Sequence, residues 1–289
     1  MMLYDFLINP FAEFIFMRRA LVGCIALSLS CAPIGVFLVL RRMSLMGDAL
    51  SHAVLPGAAI GFIIGGLSLP ALALGGMAAG LLVALLAGIT SHYTRLNEDA
   101  SFAGFYLLSL AVGVLLISIW GSSVDLTHIL FGSVLAVDTL SLILVASVTT
   151  LTFLWFAYCY RGFVLECVDT LFLAATTGKS LRYHLGFIFL TVLNLVAGFQ
   201  ALGTLMAVGL MMLPAASARL IADSLGGTLG TAILLALLSS IGGLILSFQF
   251  DVPSGPAIIV FAGLIYVLAL LFAPKGWLGR RRSKHHLRG

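Results

Sequence analysis

Charge is what this sequence has little of. Asp, Glu, Lys and Arg make up 9% of its 289 residues, against roughly a quarter in ordinary soluble domains. A soluble fold of this length needs more polar surface than that to cover itself, so a water-filled surrounding is excluded for most of the chain. The cysteines are few and unpaired in pattern. Cys24, Cys31, Cys159 and Cys167 form no Cys-x-x-Cys pair, which removes the familiar zinc and dithiol readings and leaves them as small packing residues. There is no His-Glu-x-x-His motif, so an intramembrane metalloenzyme, which needs a closed ligand set and a general base, has no support. The first 16 residues lack a basic start, a compact apolar core and a small-residue cleavage site, and are read as an interfacial segment, 1–16, rather than a signal peptide.

What is present is a series of long apolar runs. Hydrophobic residues account for 61% of the chain, and uncharged stretches recur at the length that crosses a hydrocarbon core of roughly 30 Å. Candidate spans fall at 17–40, 46–65, 69–90, 102–120, 138–160, 183–198, 200–215, 228–249 and 256–273. No run alternates as a membrane barrel strand does, and lipid cannot satisfy open backbone groups, so the expected fold class is all-α. A polytopic bundle of nine helices follows, with eight to ten compatible, and one transmembrane domain over 17–273. The pair 183–198 and 200–215 leaves almost no room for a loop, and its Gly198, Gly203, Gly209 and Pro214 fit either close helix packing or a broken hairpin. The segment 125–137 is too short to span and is expected to lie at the outer surface or re-enter.

The net charge of +4 does not point to nucleic acid, because the basic residues sit in clusters between spans. Arg41, Arg42, Arg95, Arg161, Lys179, Arg182, Arg219, Lys275 and the tail 274–289 share one side of a nine-span bundle, with Arg18 and Arg19 on the other. The excess of basic residues places that side in the cytoplasm, with the N-terminus outside and the C-terminus inside. Gly178-Lys179-Ser180 imitates the end of a phosphate-binding loop, but the glycine needed five residues earlier is Leu173 and no strand precedes it. Nucleotide is therefore expected on another chain.

The residues that bear chemistry lie in the second span. Asp48 and His52 are four apart and share a helical face. At 1.5 Å per residue His52 lies about 15 Å beyond Arg42, near mid-membrane, where an ionisable pair is expensive and marks a substrate route. Pro56 has no N–H to return to the His52 carbonyl, and with Gly57 it is expected to break the helix beside the pair, as transporter sites often require. Carboxylate plus imidazole suits zinc, manganese or iron(II) and, without a thiolate, disfavours copper(I). Two ligands make a weak site, open to completion from other helices, a second subunit or water. Asp125 and His128 are candidates for the outer mouth, where a carboxylate draws cations inward. His92, His184, His285 and His286 lie near span ends or in the tail.

The stretch Arg42-Met43-Ser44-Leu45-Met46-Gly47-Asp48-Ala49-Leu50-Ser51-His52-Ala53-Val54-Leu55-Pro56-Gly57, then 125–137, Gly203 through Arg219 with Leu213-Pro214-Ala215-Ala216, and Pro253-Ser254-Gly255-Pro256 resemble the permease subunits of bacterial ABC importers for zinc, manganese and iron. The resemblance implies a type II ABC importer-like bundle in the bacterial inner membrane. It implies a homodimer, two cytoplasmic ATPase subunits that bind ATP, and an extracytoplasmic metal-binding protein. The transported ion would be zinc or manganese, with iron as a further option, held at Asp48 and His52. It also implies a coupling region at 166–179, including Glu166, Asp169, Gly178 and Lys179, which presses on the ATPase. Relatives often begin that region with an Asp-Pro-Glu-like start, whereas this chain reads Glu166-Cys167-Val168-Asp169. A gradient-driven secondary transporter is the alternative that the midplane pair alone permits.

Overall fold

A computed structural model describes residues 9–66, 68–94, 96–120, 137–168, 170–177 and 180–278. A short helix α1 (Asn9–Glu13) leads into α2 (Ile15–Leu40), α3 (Met46–Gly65), α4 (Leu69–Tyr93) and α5 (Glu98–Trp120). There follow α6 (Thr139–Val168), α7 (Thr170–Thr177), α8 (Ser180–Leu202), α9 (Thr204–Ile221), α10 (Leu225–Phe250) and α11 (Ser254–Phe272). Among the described residues nine of these helices, all but α1 and α7, are long and apolar enough to cross a membrane. The expected all-α bundle is therefore the fold.

α2 and α8 form the centre. In their most apolar windows 72% and 78% of residues are buried, against 17% in α5, so α5 has its flank facing outward while α2 and α8 are enclosed by neighbours. α2 packs on α6, α8, α9 and α10, and α3 packs on α4 and α5. Small residues set the closest approaches. A Cβ on Gly57 of α3 would collide with the Gly75 carbonyl of α4, and one on Gly75 would collide with the Gly57 carbonyl. Without a hydrophobic drive between helices in lipid, such contact supplies the packing energy.

The short pair resolves as two regular helices. α8 ends at Leu202, Gly203 takes φ 93°, and α9 starts at Thr204 with Pro214 inside it. Only glycine enters that conformation without steric penalty, so a single residue reverses the chain. Gly198 then seats directly against Ala207, which is the packing role of small residues rather than a re-entrant break.

Helix ends depart from the span limits read from hydropathy. α6 runs to Val168 rather than 160, and its 30 residues extend about 45 Å, longer than a roughly 30 Å hydrocarbon core. Basic residues such as Arg161 mark where apolar solvent ends, and a helix continues past that point when its side chains find partners. The α2–α3 turn is a Schellman motif. Met43 N–H donates to the Leu38 carbonyl at 2.9 Å, Arg42 N–H donates to the Val39 carbonyl at 3.2 Å, and Arg42 holds the left-handed position at φ 61°.

Candidate functional site

Asp48 lies in the first turn of α3, where the unpaired N–H groups and aligned peptide dipoles of a helix N-terminus favour a negative charge. One turn later His52 brings Nε2 to 3.9 Å from Asp48 Oδ1. The expected i, i+4 pairing is present, at a separation that leaves room for an ion to bridge the two groups rather than a direct hydrogen bond. Neither side chain is enclosed by the chain itself: Asp48 is 70% and His52 46% exposed. Ser51 turns away, its hydroxyl donating to the Asp48 carbonyl at 2.6 Å. Among the described residues no group of three or more His, Cys, Asp or Glu side chains gathers to hold a metal. Any ion here therefore takes its remaining ligands from outside this set.

α3 runs through Pro56 and Gly57 to Gly65, so the expected break is a missing backbone donor within a continuous helix. α5 covers this turn. Ser109 Oγ donates to the Ala53 carbonyl at 3.2 Å, and the Tyr106 ring lies alongside His52 with centroids 6.3 Å apart and planes 29° apart. Composition and hydropathy did not single out Tyr106 or Ser109; their three-residue spacing on one helix face was the available signal.

A second ionisable cluster sits where α2, α6 and α8 meet, and it is closed. Arg41 Nη2 donates to Glu166 Oε1 at 3.3 Å and lies 2.7 Å from His184 Nδ1. Ser180 Oγ donates to Glu166 Oε2 at 2.9 Å, and the Arg41 guanidinium stacks over Phe187 at 5.2 Å from the ring centroid. The Arg41, Glu166 and His184 side chains are 7%, 3% and 9% exposed. Glu166, expected to belong to the surface that presses on a partner, therefore points inward and fixes the start of that segment from beneath. Beside it a cavity of about 580 Å³ is lined by Arg41, Arg42, Asn97, Asp99, Glu166 and Cys167. α7 lies within the segment 166–179. Asp169, Gly178 and Lys179 lie outside the described residues, as do Asp125 and His128. Cys24 and Cys31 are buried and all four cysteines are free thiols.

Over residues 13–273 the sequence matches the ABC 3 transport family. The chain belongs to this family. The permease is 33% identical over 286 residues to the manganese transport system membrane protein MntC of Halalkalibacterium halodurans, which spans 96% of this chain and 97% of the relative. The chelated iron transport system membrane protein YfeD of Yersinia pestis is 32% identical over 272 residues, 94% of this chain and 90% of that one. Among solved structures, PsaBC from Streptococcus pneumoniae in complex with Fab superposes with a TM-score of 0.83 at 31% identity, covering 98% of this chain and 99% of the other. Membership in an ABC transport family displaces the gradient-driven alternative. The permease is a membrane-embedded transport subunit and not an enzyme; ATP hydrolysis belongs to a separate subunit.

Proposed function

We propose that the permease forms the membrane path of an importer for a divalent transition metal, and that Asp48 and His52 are the stopping point on it. The observation that carries this reading is the pair itself: a carboxylate and an imidazole 3.9 Å apart on consecutive turns of an apolar helix, left open to the outside of the chain. Such a donor set accepts manganese, zinc and iron(II). The manganese and iron transport roles in the names of the relatives support that class of cargo, with manganese or zinc as the ion to test first.

The openness of the pair supports a homodimer in which a second copy faces it across the path. An incomplete ligand set keeps the well shallow, so the ion is both captured and released. In this reading an extracytoplasmic metal-binding protein delivers the ion, with the N-terminus on its side. Two cytoplasmic ATPase subunits bind ATP and act on the segment 166–179, and their closure switches access from one face to the other. The test is manganese and zinc uptake by proteoliposomes holding the complete transporter with Asp48→Ala or His52→Ala. Uptake is expected to fall to background in normally assembled complexes, and full uptake by either variant overturns the site.

A further inference from the structure

We propose that Tyr106 is a positioning residue for the metal site, a side chain that holds the His52 imidazole in the orientation that faces Asp48. The inference rests on the metal reading of Asp48 and His52 and adds a residue to it.

Three positions on α5, Tyr106, Ser109 and Gly113, are spaced three and four apart and therefore share one face. Each meets a different residue of the α3 turn that carries the pair. Tyr106 lies along the His52 ring, its centroid 6.3 Å away. Ser109 donates its hydroxyl to the Ala53 carbonyl at 3.2 Å. Gly113 permits the approach below them, since a Cβ there would meet Pro56 Cβ at 3.0 Å and Pro56 Cα at 3.2 Å. The stripe thus follows the turn from His52 to Pro56 along its length.

The consequence concerns rotation. A His side chain that is 46% exposed has little to fix its second torsion, which is broad and roughly two-fold for an imidazole. Turning the ring over would put the Cε1 carbon where Nε2 now faces Asp48 and open the gap between the donors. The tyrosine ring at a 29° interplanar angle occupies one side of the imidazole and restricts that turn, while Ser109 and Gly113 keep α5 from sliding. Partners that orient a metal-binding histidine are worth about tenfold or more in affinity when they hydrogen-bond to it. A packing partner is expected at or below the lower end of that range.

The test is direct binding of Mn²⁺ to the purified complex of permease and ATPase subunits without the delivery protein, read from the loss of the free-ion paramagnetic resonance signal. Tyr106→Leu is expected to weaken Kd by about three- to tenfold, with Tyr106→Phe within about twofold of wild type because the ring is retained. Tyr106→Gln repeats the measurement if the leucine variant does not assemble. Wild-type affinity in Tyr106→Leu or Tyr106→Gln overturns the positioning role, as does a loss in Tyr106→Phe equal to that in Tyr106→Leu, which would assign the effect to the hydroxyl. Asp48→Ala and His52→Ala separate the two levels. If they abolish binding while Tyr106→Leu does not weaken it, only the positioning role falls; if they bind Mn²⁺ as wild type does, both fall.

Discussion

Replacing Arg41 by methionine removes the cation from a carboxylate that has almost no access to water. Glu166 is 3% and Arg41 7% exposed, with 3.3 Å between Nη2 and Oε1. Breaking a buried pair by deleting one partner typically costs about 3–5 kcal/mol, because the remaining charge is left uncompensated. Here the lower end applies. Ser180 still donates to Oε2 at 2.9 Å, and His184 Nδ1 stands 3.9 Å from Oε1, so the carboxylate keeps polar neighbours. About 3 kcal/mol corresponds to a fall in Tm of roughly 6–12 °C on the scale of domains of 150–250 residues. Glu166→Gln should cost less, since its amide oxygen still accepts from Arg41 and its volume is kept. The double variant Arg41→Met with Glu166→Gln leaves no buried carboxylate charge, and its loss is expected to fall short of the sum of the single losses by a coupling of at least about 1 kcal/mol. Thermal unfolding of the four proteins in one detergent closes the cycle. Single losses that simply add, or a Tm for Arg41→Met within about 2 °C of wild type, would refute the pairing.

Gly57→Val places a branched side chain where α4 already touches α3 backbone at the Gly75 carbonyl. A loss of assembled protein on size-exclusion chromatography is expected, at a destabilisation of about 3 kcal/mol or more, the upper range for overpacking. Asn194→Leu strips a fully buried amide that donates to Thr152 Oγ1 at 2.8 Å and to the Leu190 carbonyl at 2.9 Å; about 1–2 kcal/mol of stability should go, measurable as a lower Tm. Asp138 caps α6, accepting from Ser141 N–H at 2.8 Å. The Ser141 hydroxyl and N–H together hold its carboxyl below the usual range. A group whose folded pKa is depressed stabilises the fold above its unfolded pKa and ceases to do so as pH falls through the folded value. The advantage of wild type over Asp138→Ala, about 1 kcal/mol for a helix cap, is therefore expected to be full at neutral pH and to fade below about pH 4 in parallel unfolding measurements.

Much of this architecture was legible because lipid imposes one requirement on every span. Nine apolar runs became nine membrane-length helices among the described residues, and the four-residue spacing of Asp48 and His52 brought them to one face. Tertiary pairing was not legible in the same way. Arg41 and Glu166 are 125 positions apart, and their meeting depends on how the ends of α2, α6 and α8 converge, which no local period encodes. Arg41 read as an orientation signal and Glu166 as a contact for a partner; each has its charge satisfied by the other. Tyr106 was hidden for a different reason. It stands among leucines on a helix whose outward flank is also apolar, so its face cannot be told from composition.

The two ionisable clusters lie on either side of one turn and meet opposite fates. Arg41 is the C-cap of α2 and Asp48 stands in the first turn of α3, joined through a Schellman turn in which Arg42 accepts a left-handed backbone at φ 61°. A non-glycine residue there costs roughly 1 kcal/mol, so Arg42→Gly is expected to raise stability by up to about that amount. The turn is otherwise pinned at both ends: Arg41 by Glu166, His184 and the face of Phe187, and Met43 by its bond to Leu38. On its α2 side Arg41, Glu166 and His184 are paired and enclosed. On its α3 side Asp48 and His52 are exposed and 3.9 Å apart, too far for a hydrogen bond. A purely structural Asp–His contact would close that gap and bury it, as the Arg41 cluster does. That the same short segment carries one closed cluster and one open pair supports the proposal that the open pair is kept for an exchangeable ion.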